Sequence, residues 1–361
     1  PGKSSMQLMA EACRNAMDDA GIDKSEVDAV LTCGFGFMPS VLVSEYLGIV
    51  PKWTDGTSIG GSSFEVHVEH AAAAIKAGIC EVALIAHGEA GKSGSRFRGG
   101  GMDPTMPQLS FEMPYGIGAA PSVYSMACQR HMHQYGTTHE QLAEIAVATR
   151  KWAELNPKAL MRDPIGIDDV LNSRWVAYPF HLLDCCLVTD AAGAVIVASP
   201  ERAAKMKKKP VWVLGCGESN THQSISQMPD LTQTPARHSG PRAFEMAQMK
   251  HADIDVVEIY DSFTYTALVT LEELGFCKKG EGGRFVSGQR TAPGGDFPMN
   301  TNGGGLSYTH PGMYGIFILI EAARQLRGEC GERQVPNAKT ALVNGTGGVL
   351  SSTGTVILGV D

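Results

Sequence analysis

The sequence predicts an α/β fold made of two similar halves, with a loop-rich region inserted in the first. Three observations carry this reading. Short apolar runs that fit buried strands alternate with stretches of helical periodicity. Two Gly-broken apolar segments of similar character, DAAGAVIVAS at 190–199 and STGTVILGV at 352–360, each close one half. Residues 88–185 interrupt the pattern, beginning with a Gly-, Pro-, Met- and Ser-rich stretch at 88–125, and a long irregular stretch inside a compact domain is usually functional. The boundaries expected are 1–88 with 186–205 for the first half, 89–185 for the insertion and 206–361 for the second half. A length of 361 residues suits two such units.

The elements follow in order. Met6, Met9, Ala10, Cys13 and Met17 recur at helical spacing over 4–20, and Gly21 closes that helix. DAVLTC at 28–33 fits a buried strand. A helix starts near Ser62 and runs through AAAAIKAG, and EVALIAH at 81–87 is the next strand. A chain that opens on a helix looks as if it lacks an opening strand. Helices are expected over 123–135 and 140–155, and a strand over 190–199. The second half reads as a strand at 211–214, a helix at 239–249, a strand ending in DVVEIYDSF, and a helix at 266–275. A Gly-rich loop, a helix at 316–328 and strands at 339–344 and 355–360 complete it.

Composition narrows the function. Thirty Lys and Arg against 38 Asp and Glu give a net charge of −8, which argues against a general nucleic-acid or membrane-surface role. No apolar run approaches a membrane span, and no signal peptide is read at the start. Nine scattered cysteines without a Cys-x-x-Cys pair argue against a disulfide framework or a structural zinc site, so a reducing cytoplasm is expected. No metal site is expected. His131 and His133 do not share a helix face. His67 and His70 do, but only Glu69 is at hand as a carboxylate. Cys185 and Cys186 read as packing residues. No nucleotide-binding glycine fingerprint follows a strand, so no cofactor is expected.

Four stretches could carry chemistry. In NTNGGGLSYTHPGMYG at 300–315, His310 sits on a turn fixed by Pro311 and Gly312. It suits an acid, a base or an oxyanion donor, or simply a loop histidine bonded to backbone. Tyr260 and Asp261 end an apolar strand, where open α/β sheets place their sites; Asp261 as a cap for the next helix is the plainer reading. Ser58, in TSIGGSS at 57–63, precedes a small-residue helix whose N-terminus suits an anion or a nucleophile, or a common N-cap. Arg96 and Arg98 could meet phosphates or form a solvated loop.

Taken together, these blocks resemble the thiolases, above all the sterol-carrier-protein type and its lipid-transfer relatives. NTNGGGLSYTHP resembles their Asn-x-x-Gly-Gly…Gly-His-Pro loop, with Thr309 in place of the Gly before His310. YDSFTYTALVTLEELGFC resembles their His-Asp-Cys-Phe block and its helix. LLDCCLVTDAAGAVIVAS, and RQLRGECGERQV followed by ALVNGTGGVLSS, match the strand and the Gly-rich turn that close the two halves. The resemblance covers nearly the whole chain. It implies two α/β halves stacked as five αβαβα layers with an inserted loop domain, a homodimer, and action on coenzyme A thioesters.

The departures direct the expectation. The resemblance aligns Ser58 and Ser262 with the two thiolase cysteines and Tyr260 with an oxyanion-hole histidine, whereas His310 is retained. A Ser hydroxyl is far less acidic than a Cys thiol and needs a dedicated base. The expected reaction is therefore retro-aldol cleavage of a β-hydroxyacyl-CoA thioester, with a steroid side chain as one candidate. The residues expected to act are His310, Tyr260, Tyr308, Tyr314, Ser58 and Asp261. Gly347, Gly348, Asn300, Arg96 and Arg98 are expected to bind substrate. Coenzyme A enters as part of that substrate, and the resemblance implies an OB-fold, zinc-ribbon accessory protein. The alternatives are a C-acyltransferase using Ser58 or a borrowed thiol, and a non-catalytic acyl-CoA-binding or lipid-binding subunit.

Overall fold

A computed structural model describes residues 2–94 and 105–361. In chain order it holds α1 (Ser5–Ala20), β1 (Ala29–Leu31), α2 (Pro39–Leu47), β2 (Trp53–Asp55), α3 (Ser63–Lys76), β3 (Val82–Ala90), α4 (Pro107–Phe111), α5 (Ala120–Tyr135), α6 (His139–Glu154) and α7 (Ile167–Leu171). The hairpin β4 (Trp175–Ala177) and β5 (Phe180–His181) leads to β6 (Asp190–Ala198), the short α8 (Pro200–Ala203), β7 (Trp212–Asn220), α9 (Ala236–Ala247) and β8 (Val256–Ile259). The chain ends through α10 (Thr264–Glu273), α11 (Gly282–Val286), α12 (Gly315–Arg327), β9 (Thr340–Gly347) and β10 (Ser352–Gly359).

Two four-stranded sheets run β2-β1-β3-β6 and β7-β10-β9-β8. Their centres repeat one pattern. β1 is parallel to β3, which is antiparallel to β6; β8 is parallel to β9, which is antiparallel to β10. Helices α3 and α12 lie between the sheets, α1 covers the outer face of the first, and α9 packs on the outer face of the second. This is the expected αβαβα stack. The core between the sheets joins Phe64, Tyr260, Tyr314, Phe317 and Val356.

Local sequence explains the boundaries. Ser4 caps α1 and forms a reciprocal capping box with Gln7, and Gly21 ends it at φ 72°. β7 runs on to Asn220, past the expected end at 214, through Gly215 and Gly217. A Cβ at either would overlap the backbone of α9, so these glycines mark a helix lying directly on the strand and not a break. The structure adds α2 and β2, which the sequence reading missed; Pro39 opens α2 after Met38 in a left-handed conformation. The expected loop at 88–125 contains the end of β3, α4 and the start of α5.

β7 covers the outer edge of β10. On the equivalent outer edge of β6 no strand pairs among the described residues. A cavity of about 770 Å³ runs along that edge, lined by Ala12, Val195, Val213, Tyr308 and Ile320 among others.

Candidate active site

The site gathers where β1, β3, β8 and β9 end and α3 begins, the position that open α/β sheets give to ligands. β8 stops at Ile259, and the N–H of Tyr260 donates to the Asn344 carbonyl (2.9 Å), which ties the next residue to β9. The Tyr260 side chain is buried and lies on Gly61 in the turn before α3, where a Cβ would overlap the ring. Its hydroxyl stands 2.8 Å from His310 Nε2. The Tyr260 ring meets His310 and Tyr314 edge to face, each at 5.6 Å.

A clamped loop holds His310. Asn300, at φ 54°, is buried, and its Oδ1 accepts from the N–H of Ile259 (2.8 Å). Asn302 Oδ1 accepts from the N–H of Gly304 (2.8 Å) and from the Tyr314 hydroxyl (2.7 Å). Asp261 accepts from the N–H of Gly305 (2.6 Å) and Leu306 (3.4 Å). The N–H of His310 donates to Thr189 Oγ1 (3.0 Å). The stretch expected as an irregular glycine loop closes a π-helical turn at Gly304–Tyr308. The His310 ring itself is half-buried, so it links the buried phenol to the open side of the site.

Ser58 lies on the exposed side of the same turn as Gly61. Asp55 fixes that turn by accepting from both the N–H and the hydroxyl of Thr57 (2.8 Å each). Cys33 Sγ is 4.0 Å from Met313 Sδ. Gly347 and Gly348 press against Ile59 and Gly60 so closely that a Cβ on Gly60 or Gly347 would overlap backbone. Tyr124, from α5, donates to the Gly348 carbonyl (3.0 Å) and contacts Ser262.

Burial sets the electrostatics. It raises the Tyr260 and Tyr314 phenols well above their usual value, so both are neutral donors near neutral pH. It lifts the Asp261 carboxyl to about 7 against the pull of the Gly305 and Leu306 N–H groups. It pushes the Cys33 thiol up to about 11, so this thiol stays protonated.

The structure brings Tyr260, His310 and Tyr314 together, with Ser58, Gly347 and Gly348 on the adjoining turn. Four expectations change. Tyr308 packs edge-on against Phe317 and faces the α12 side, because the π-turn carries it away from His310. The Tyr314 hydroxyl is spent on Asn302, so this residue builds the wall and meets the Tyr260 ring edge to face. Asp261 and Asn300 brace the loop and the strand end from the interior, and Asp261 caps the π-turn instead of α10. His70 finds a carboxylate beyond Glu69: its Nδ1 is 2.6 Å from Asp55 Oδ2. Arg96 and Arg98 lie outside the described residues. The sequence reading missed Tyr124 and Cys33, which no local motif marks.

Comparisons with known proteins agree with the fold. Residues 217–360 match the family described as thiolase C-terminal domain-like. The acetyl-CoA acetyltransferase of Methanothermobacter thermautotrophicus is 33% identical over 94% of this chain and 91% of its own. The 17-hydroxy-3-oxo-4-pregnene-20-carboxyl-CoA lyase of Mycobacterium tuberculosis is 35% identical over 91% of this chain and 88% of its own. A solved structure described as the Ltp2-ChsH2(DUF35) aldolase superposes with a TM-score of 0.92 and 32% identity, covering all of this chain and 94% of that one.

Proposed function

The chain belongs to the thiolase superfamily, and we propose that within it the protein is a carbon–carbon lyase that cleaves a β-hydroxyacyl-CoA by a retro-aldol step. One observation carries this reading. The buried Tyr260 hydroxyl is 2.8 Å from His310; the resemblance aligns Ser58 and Ser262 with the two thiolase cysteines, and burial keeps the nearby Cys33 a protonated thiol.

The pair suits the required proton transfer. The substrate's β-hydroxyl gives its proton to Tyr260 Oη as Tyr260 passes its own to His310 Nε2. The β-carbon becomes a carbonyl, and the Cα–Cβ bond breaks with its electrons moving into the thioester enolate. The enolate then takes a proton at the α-carbon and leaves as a shortened acyl-CoA. Tyr260 has no need to exist as a phenolate, which burial disfavours. The route draws on no cofactor besides the coenzyme A of the substrate.

The lyase relative's substrate is a steroid carrying a hydroxyl β to its thioester, and we extend that substrate class to this chain. We also propose a homodimer and a partner protein, the latter supported by the two-component description of the superposed aldolase. No helix among the described residues is long and apolar enough to cross a membrane, and we propose a cytoplasmic setting.

The test is to incubate the protein, alone and with its partner, with a panel of β-hydroxyacyl-CoA thioesters. A ketone or aldehyde should appear together with a shortened acyl-CoA. Acyl transfer that requires added free coenzyme A, with no carbonyl product, would replace this reading with the acyltransferase one.

A further inference from the structure

The interior beneath the His310 loop holds two carboxyl groups that the proton step does not use. Glu258 of β8 lies two residues before Tyr260 and is fully buried, and Glu321 of α12 is buried as well. Thr301 stands between them, flanked by the two asparagines that brace the loop. Its hydroxyl oxygen is 2.8 Å from Glu258 Oε1 and 2.9 Å from Glu321 Oε1, and Gln325 Nε2 donates to it at 2.9 Å. A hydroxyl has one proton to give. It satisfies one of these two carboxyl oxygens, so the other contact needs a proton from the carboxyl itself. Arg333 decides which carboxyl holds it. Its Nε and Nη2 donate to the two oxygens of Glu321 at 2.8 and 3.0 Å, the bidentate geometry of an ionised carboxylate. Glu258 has no such partner among the described residues, and its Oε2 makes no hydrogen bond there.

We propose that Glu258 is a neutral carboxylic acid and a positioning residue for the proton step: it donates to Thr301, Thr301 donates to Glu321, and this chain fixes the loop that sets His310 against Tyr260. This rests on the lyase reading. The assignment uses the whole Thr301 hydroxyl, which gives one proton and accepts two, from Gln325 and from Glu258. It also balances charge. Glu321 and Arg333 cancel, whereas an ionised Glu258 would leave an unpaired charge in the interior. Burial, and after it the Glu321 charge, hold the Glu258 carboxyl well above the usual carboxylate range. The chain reaches the site at both ends of the reacting pair. The N–H of Thr301 donates to Glu258 Oε1 at 3.1 Å, and Asn300 accepts from the N–H of Ile259, so two successive loop residues are tied to the strand that ends in Tyr260. Asn302, the next residue, takes the Tyr314 hydroxyl. The 2.8 Å contact between Tyr260 and His310 depends on that register, and a displacement of about 1 Å in a reacting group can cost about a hundredfold in rate.

The experiment measures kcat, KM and Tm for wild type, Thr301→Ser, Thr301→Val, Glu258→Gln and Glu258→Met in the β-hydroxyacyl-CoA cleavage assay. It also records the infrared difference spectrum of wild type against Glu258→Gln at neutral pH. That spectrum should show the C=O stretch of a protonated carboxyl, present in wild type and lost in the variant. Thr301→Val keeps the shape and removes the hydroxyl. It should lower kcat by about tenfold to a hundredfold with little change in KM, because the reacting pair shifts and the substrate contacts do not. Thr301→Ser restores the hydroxyl and should stay within about twofold of wild type. Glu258→Gln is neutral and still donates, so kcat should stay within about fivefold, whereas Glu258→Met should lose as much as Thr301→Val. A carboxylate band in place of the C=O stretch overturns the neutral acid. Wild-type kcat in Thr301→Val or Glu258→Met overturns the positioning role and leaves the lyase reading standing. If these two variants do not fold, a loss of about fiftyfold or more in Glu258→Gln overturns that role instead. Absence of cleavage by the wild type overturns the lyase reading and the positioning role with it.

Discussion

Tyr260 is held at three points: its ring by Gly61, its hydroxyl by His310, and its backbone by Asn344. Tyr260→Phe keeps the packing and removes the hydroxyl. It should lower kcat by about a hundredfold or more with an unchanged circular dichroism spectrum, whereas Tyr308→Phe should remain within about twofold of wild type in the same assay. Glu65 gives a prediction of a different kind. Its carboxyl is buried without a hydrogen-bond partner among the described residues, against Gly315 and Gly345, and burial raises its pKa from 4.5 to about 8. The native carboxyl therefore keeps its proton up to about 8, while the unfolded one releases it near its ordinary value. Between those two pH values the native state binds more protons, so stability falls as pH rises. Glu65→Gln should raise Tm relative to wild type more at pH 8 than at pH 5. An equal change at both would show that Glu65 does not titrate in this window.

Among the elements, the turn before α3 and the π-turn before α12 do most to shape the site. Gly61→Ala would drive a methyl into the Tyr260 ring. Activity should fall at least tenfold while the loss of stability stays within the roughly 1–3 kcal/mol of an overpacked site, as read by urea denaturation. Asp261→Ala would strip the acceptor from the Gly305 and Leu306 N–H groups. It should lower stability by about 1–3 kcal/mol and kcat along with it, because the His310 loop loses its anchor. Much of this was legible in the sequence. The HPG turn fixed His310, and the strand end fixed Tyr260. Tyr308 was misjudged because nearness in sequence to His310 suggested nearness in space, and the π-turn separates them. Tyr124 was invisible because 224 positions separate it from its partner Gly348.

At the scale of the whole molecule, the duplication was readable from two Gly-broken strands because a small-residue strand marks close helix packing in both halves. The cross-half contacts were not readable. Ser62 bonds Ser352 at 2.7 Å, and Glu65 nests against β9 and β10. Such pairs depend on how the two sheets stack, which no local pattern encodes. The stack puts α3 of the first half against Tyr260 of the second, so the site belongs to the duplication and to neither half alone. The central claim is that this site breaks a carbon–carbon bond without an acyl-enzyme. The most direct measurement is a single turnover of a β-hydroxyacyl-CoA in D2O, with mass spectra of the products and of the intact protein. A carbonyl product, an acyl-CoA carrying one deuterium at its α-carbon and an unchanged protein mass are the result predicted. A protein mass raised by an acyl group on Ser58 or Cys33 would contradict it.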